Sequence, residues 1–394
     1  MRNHKDLIKA YLEYTDGQEA AEAIRKWSFI SVLAAALERK VWLNRGYYTL
    51  YPNLYVFIIG KSGLVKKSVA TGTAVELLYE VPDIKFMSDR LTSASLLAQL
   101  GNSQKRFIYK DEEIIQSPTF IYSSELAVFM SEVHGNIQEL LTDFFDCKPY
   151  DSTKPWVYST RNQGDIKIYG PCLNMLGAST MTWLKKFIPV TEMEGGFSSR
   201  ILFVIQNEGA KPVAWPEMTE EKFNLKQRII EDLIELSQLA GPFRVEESAR
   251  QLFTTWYEDM MKYEMPKNAE TRFCGYYGRK GDLMLKLAMI RSAATREDRV
   301  VTTSHLAWAN TVLDEIEGPM KEAFQSFGTN PQGEVMYEML NLIRSKGSAE
   351  QKYIKKAFGS KAEGSMIDSC LEDLVGMGCL GRNGTVYRFI DGSL

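Results

Sequence analysis

Between residues 54 and 68 the chain carries the grouping best suited to chemistry: Gly60 and Gly63 followed by Lys66, Lys67 and Ser68. Glycines let successive backbone N–H groups face the β- and γ-phosphates of a nucleotide, a lysine reaches them, and a hydroxyl serves Mg²⁺. The run Gly60-Lys61-Ser62-Gly63-Leu64-Val65-Lys66-Lys67-Ser68 departs from the usual G-x-x-x-x-G-K-[ST] spacing. If Lys67 and Ser68 are the lysine and hydroxyl, the two glycine positions fall on Lys61 and Lys66. Counting from Gly60 instead makes Lys66 the phosphate lysine and puts Lys67 where the hydroxyl belongs. Only the first register supplies both ligands, so Lys67-Ser68 is favoured, with Gly60, Ser62, Gly63 and Lys66 completing the expected ATP-binding set. The plain alternative is a basic loop in front of an ordinary helix.

A hydrolytic site also needs a group to polarise the attacking water and one to hold the metal. Thr119 to Tyr122 reads as a strand, expected beside the loop strand, and it ends in Ser123-Ser124-Glu125. Glu125 is the expected base. Ser124 stands where an aspartate would hold Mg²⁺ through water, which leaves the metal mainly to Ser68. Ser179 and Thr180 follow the strand pattern Cys172–Leu176 and are candidates for orienting the lytic water. Arg200 precedes the strand Ile201–Ile205 and suits an arginine finger for a neighbouring subunit's γ-phosphate. Arg279 opens an apolar-periodic helix (Leu283, Leu287, Ile290), from which it would lean over the nucleotide. Each of these residues alone is also what a solvated arginine or capping hydroxyl looks like; their order along the chain gives them weight.

These groups need a layered α/β scaffold. Leu54–Ile59 is a short run of β-formers bounded by turn residues, as a buried central strand should be, and a helical pattern resumes over Val69–Tyr79. Strand, glycine-bearing loop and helix form a phosphate-holding unit. Upstream, helical patterns extend to about Leu43, the second running from Gln18 to Arg39. Trp156–Tyr169 predicts a hairpin turning at Asn162-Gln163-Gly164. Alternating strands and helices imply one α/β core over about 47–207. Beyond Pro216 the chain becomes helical. A break at 328–333 precedes helical patterns at Glu334–Ser345, Ala349–Phe358 and Gly364–Gly376, then two strands joined at Asn383-Gly384, which together predict a winged helix.

With 394 residues the chain exceeds the ~250–300 at which single cores stop growing, so several domains are expected. Apolar residues make up 45% and charged ones 25%, an ordinary globular mixture. A formal net charge of −3 carries no bulk attraction for nucleic acid, so any DNA contact must be local. Five dispersed cysteines without a C-x-x-C pair, and three scattered histidines, argue against a disulfide framework or a zinc site. No apolar run approaches the ~20 residues of a membrane span and the N-terminus lacks a signal core, so a cytoplasmic location is expected, the bacterial host's if phage-encoded.

Trp42 through Ser68, with Tyr51-Pro52-Asn53-Leu54-Tyr55 leading into Gly60-Lys61-Ser62-Gly63, resembles phage and mobile-element proteins related to primase-associated and minichromosome-maintenance-like helicases. Leu176-Gly177-Ala178-Ser179-Thr180, Phe197-Ser198-Ser199-Arg200, and Arg279 with Lys286-Leu287-Ala288 extend the resemblance to about Thr295. It implies an AAA+ P-loop ATPase core (46–215) with a helical lid (216–328), flanked by the N-terminal helical segment (1–45) and the C-terminal winged helix (329–394) that the patterning predicts. It further implies Lys67 as the phosphate lysine, Ser179/Thr180 as first sensor, Arg200 as finger and Arg279 as second sensor. The implied function is an ATP- and Mg²⁺-dependent DNA helicase or translocase forming a homo-oligomeric ring, expected to be a hexamer, with a primase or polymerase as partner. On the Trp156–Tyr169 hairpin, Arg161 and Lys167 would grip single-stranded or forked DNA in the pore. Val65 in place of glycine and Ser124 in place of aspartate depart from the pattern and imply weaker hydrolysis. The competing readings are a helicase loader or DNA-remodelling factor, and an assembly protein that uses nucleotide only as a gate. In the winged helix the third helix carries Glu363, Asp368, Glu372 and Asp373, which would repel phosphate. Basic residues lie instead on the second helix (Lys352, Lys355, Lys356) and in the wing (Arg382), so partner binding is favoured over duplex reading.

Overall fold

The computed structural model describes residues 2–87, 91–131, 136–160, 164–187, 196–209, 212–268, 273–295, 298–325, 331–359 and 362–390. The chain divides into two compact units, Met1–Met320 and Lys321–Leu394. The first is a mixed α/β unit built on a mostly parallel five-stranded sheet. Its strands are β1 (Tyr55–Gly60), β2 (Lys105–Tyr109), β3 (Glu112–Ser123), β4 (Pro171–Ser179) and β5 (Ile201–Gln206), in the spatial order β2-β3-β4-β1-β5. β1, β3, β4 and β5 run parallel, and β2 folds back antiparallel on the first half of β3. Every residue of β1 and of β4 is buried, which is why both read as unbroken apolar or small-residue runs rather than alternating ones.

Helices α1 (Leu7–Tyr14) and α2 (Glu22–Leu37) belong to this same unit. α2 lies against β1, β4 and β5 and also against α3 (Lys67–Tyr79), and nearly all of its residues are buried. The expectation that helix continues to about Leu43 is corrected. Glu38 takes a positive φ of 51° and ends the helix, and Val41–Asn44 forms a strand. Its buried Val41 and Leu43 alternate with half-buried Trp42 and exposed Asn44, the two-residue period of a strand. That strand pairs with Thr49–Leu50 and, across the chain, with Gly241–Pro242.

Two further differences concern β2 and β3. The expected Thr119–Tyr122 strand is the far end of a much longer one, and β2 was not anticipated at all. Nor does β3 lie beside the loop strand: β4 stands between them, pairing with β1 on one side and β3 on the other. The hairpin forms as expected from Trp156–Thr160 and Gly164–Ile168, and packs so closely on the helix Ser93–Asn102 that a side chain at Gly101 would collide with Ile166.

The second unit holds helices Pro331–Lys346, Gln351–Phe358 and Gly364–Gly376 and a three-stranded sheet ordered Ser348–Glu350, Val386–Phe389, Leu380–Asn383. Met339, Ile343, Ile354, Ile367, Leu371 and Tyr387 meet in its core. The third expected helix matches its observed bounds, while Ser348–Glu350, expected in part as helix, is strand. Gly384 supplies the positive φ, 61°, that the closing two-residue turn requires.

Candidate functional site

β1 delivers the chain to the carboxyl edge of the sheet at Gly60. A β-carbon there would lie 2.3 Å from the Gln206 carbonyl oxygen on β5 and 2.8 Å from the Val65 side chain, so the position accepts only glycine. The chain then turns through Gly63 (φ +73°) and Lys66 (φ +49°) into α3. Val65 is fully buried beneath this loop; its departure from glycine serves packing. No side chain caps the start of α3, which leaves its first N–H groups without the usual capping oxygen.

The two adjacent lysines part company. The Lys66 ammonium reaches out to Glu19, 3.2 Å away. Lys67 folds over the loop and donates to the carbonyls of Gly60 at 2.8 Å and Lys61 at 3.4 Å. Partial burial lowers the Lys67 pKa from its ordinary value, and the charge of Glu125 opposes that shift. Ser62, Ser68 and Ser124 are all exposed at this edge.

Parallel register brings the remaining groups level with the loop. Ser179, at the end of β4, pairs with Ile59, and Glu125 follows the end of β3. The buried Ser179 hydroxyl donates to Glu125 Oε1 at 2.9 Å. Thr180 serves otherwise: its hydroxyl accepts the Trp183 N–H at 3.3 Å and caps the helix Met181–Phe187. Of the two hydroxyls only Ser179 is shown engaging the glutamate. Among the described residues no cluster of three or more His, Cys, Asp or Glu side chains is placed to hold a metal ion.

Arg200 and Arg279 lie elsewhere. Arg200 ends a single 3₁₀ turn, Ser198–Arg200, just before β5, whose first residue pairs with Tyr55 at the start of β1. It therefore sits at the amino edge of the sheet, a whole strand length from Gly60. Only 6% exposed, it donates to Asp146 at 2.7 Å and to the Gly196 carbonyl at 2.6 Å. Arg279 reaches the other oxygen of the same Asp146 at 3.4 Å. Burial and the nearby Arg200 charge lower its pKa, and Asp146 opposes the shift. Arg279 thus does not lean over the loop of its own chain, as its sequence position suggested; the helix it opens, Cys274–Thr295, packs on the Ser198–Arg200 turn. Asp146 is the residue that sequence reading missed. It lies in an irregular stretch after the helix Asn136–Phe145, and no local pattern marks it.

On the hairpin, Lys167 is exposed and pairs across from exposed Val157, while Arg161 falls outside the described residues. In the second unit Lys355 is tied to Asp368 of the following helix at 2.7 Å, which neutralises one of four expected basic positions. No helix among the described residues is long and apolar enough to cross a membrane. No protein-family model matches the chain, and neither does any curated protein.

Proposed function

We propose that the chain is an ATPase of the AAA+ P-loop class that assembles into a ring on DNA and works as a helicase or translocase. The observation carrying this reading is that Lys67, which opens α3 after β1, Ser179 at the end of β4 and Glu125 just past the end of β3 gather at one carboxyl edge of three adjacent strands. Open α/β sheets bind ligands outside the carboxyl ends of their strands. There the loop N–H groups and Lys67 would receive the β- and γ-phosphates. Glu125, held in place by the Ser179 hydroxyl, would orient a water in line with the γ-phosphate and take its proton as ADP leaves. Mg²⁺ would neutralise the phosphate oxygens, with the Ser68 hydroxyl as its protein ligand and Ser124 touching it through water.

Arg200 and Arg279 share the opposite edge, a position suited to serving a neighbouring subunit's nucleotide in a head-to-tail ring such as a hexamer. Lys167, with Arg161, would contact single-stranded or forked DNA. The Lys321–Leu394 unit has the element order of a winged helix; its acidic third helix and the Lys355–Asp368 pair favour docking of a protein such as a primase or polymerase over duplex binding.

Ser124 in place of a metal-holding acid favours a second reading, a nucleotide-gated DNA-binding or loading factor with slow turnover. Steady-state turnover separates the two. Lys67→Ala should abolish ATP binding, whereas Glu125→Gln should retain binding and lose hydrolysis, because the glutamate acts on the attacking water. Hydrolysis by Glu125→Gln at the parental rate removes the assignment of β3; a parental protein that binds ATP without turnover selects the gated reading.

A further inference from the structure

A cavity of about 460 Å³ opens at the amino edge of the sheet, away from the loop. Two buried cations line it, Arg39 and Lys286, 8% and 4% exposed. Arg39 donates to the carbonyls of Cys147 at 2.6 Å, Lys148 at 3.2 Å and Pro171 at 3.3 Å, and its guanidinium lies 4.1 Å from the Tyr51 ring centre. Lys286 donates to the carbonyl and side-chain oxygens of Asn53, at 3.1 and 2.8 Å, and sits 4.0 Å above the centre of the Phe145 ring. Among the described residues neither cation has a carboxylate within 4.0 Å. The two acids that do line the cavity are engaged elsewhere. Asp146 is held by Arg200 and Arg279, and Asp282 accepts the Tyr48 hydroxyl at 3.0 Å.

Two buried cations whose hydrogen bonds, among the described residues, all go to neutral carbonyl and amide oxygens are costly to bury, and proteins ordinarily offset such a cost with a paired anion. Here Asp146 and Asp282 act on Lys286 only from beyond contact distance, and open space is left beside both charges. The volume exceeds what a bare phosphate fills, and the rim is aromatic: Tyr48 is 47% exposed and Tyr47 stands wholly in solvent. Flat rings beside cations suit a base carrying a phosphate. We propose that this cavity is a binding site for a nucleoside monophosphate, its phosphate on Arg39 and Lys286 and its base against Tyr47 and Tyr48. This site is separate from the loop at Gly60–Ser68 and does not depend on that loop's assignment.

AMP makes the test, since the loop recognises β- and γ-phosphates that AMP lacks. Isothermal titration of the full-length Lys67→Ala variant should show AMP binding with one site per chain. Adding Lys286→Met should weaken it at least about tenfold, by loss of a charge-assisted contact. Adding Tyr47→Ala, at an exposed ring where folding is not at stake, should weaken AMP about fivefold or more through lost stacking and leave inorganic phosphate binding unchanged. The proposal is overturned if AMP does not bind Lys67→Ala, or if neither Lys286→Met nor Tyr47→Ala weakens it. Lys286-dependent binding of a short oligothymidylate without binding of AMP would also overturn it, by assigning the cavity to a DNA strand.

Discussion

Complementation between two variants gives the sharpest test of the proposed ring reading, and the strand register supplies the distance on which it turns. Gly60 pairs with Gln206 and Tyr55 with Ile201, so five residue steps of about 3.3 Å place Arg200 roughly 17 Å or more along the sheet from the loop. One side chain cannot span that interval, so Arg200 serves no phosphate at its own chain's loop. On the proposed ring reading, in which it serves a neighbour's nucleotide, its loss should lower turnover about 10³- to 10⁵-fold while leaving the loop's own affinity nearly intact. Mix Arg200→Ala with Lys67→Ala in equal amounts, and in a head-to-tail ring about one junction in four pairs a sound loop with a sound finger. Steady-state ATP hydrolysis at constant total protein should then rise from background to roughly a quarter of the parental rate if junctions fire independently. Arg279→Ala, attached to the same Asp146, should complement Lys67→Ala in the same way. Co-assembled subunits that show no recovery, or a single variant whose activity ignores its partner, would refute the trans assignment.

Two further expectations concern stability. Lys280→Ala removes the cation between Asp314, at 3.0 Å, and Glu317, leaving a nearly buried Glu317 held, among the described residues, by the hydroxyls of Tyr276 and Tyr277 at 3.1 and 3.0 Å. Urea unfolding should show a loss of about 3–5 kcal/mol; a loss under about 1 kcal/mol would mean that the tyrosines alone suffice. Asp6 caps α1 and takes both nitrogens of Arg291 at 2.7 Å; burial opposes its ionisation, but the Arg291 bonds and charge and the N–H groups of Lys9 and Ile8 outweigh it and lower its pKa. A lowered carboxyl pKa stabilises fully above the unfolded value of about 3.9 and is lost as pH falls through the folded value, so the melting gap between parent and Asp6→Asn should close below about pH 4. A gap that is constant from pH 7 to pH 3 would show that the carboxylate charge contributes nothing.

The strands that proved legible are those whose signal is local. β1 and β4 are buried on both faces, so their composition alone marks them, and the closing turn of the second unit announces itself through Gly384. β2 escaped because its turn is built from Lys110 and Asp111, both at positive φ (49° and 65°) without a glycine to advertise it. The place of β4 between β1 and β3 was equally hidden, since strand order depends on how helices cross the sheet and leaves no trace in any single segment.

That hidden strand order decides what the site residues can do together. With β4 in the middle, a hydroxyl from Ser179 comes between the loop that follows one flanking strand and carries Lys67 into α3, and the glutamate that follows the other, and its neighbour Thr180 is left to cap a helix. The same parallel register sends Arg200 to the far edge, where residues from four separate stretches, 39, 47–53, 145–149 and 279–286, converge. Arg39 and Lys286 are 247 positions apart, one just past the end of α2 and the other inside the helix Cys274–Thr295, and each looks ordinary in its own segment. Their shared cavity, where among the described residues no carboxylate lies within 4.0 Å of either charge, distinguishes them from solvated surface cations, and that property belongs to the fold rather than to any window of sequence.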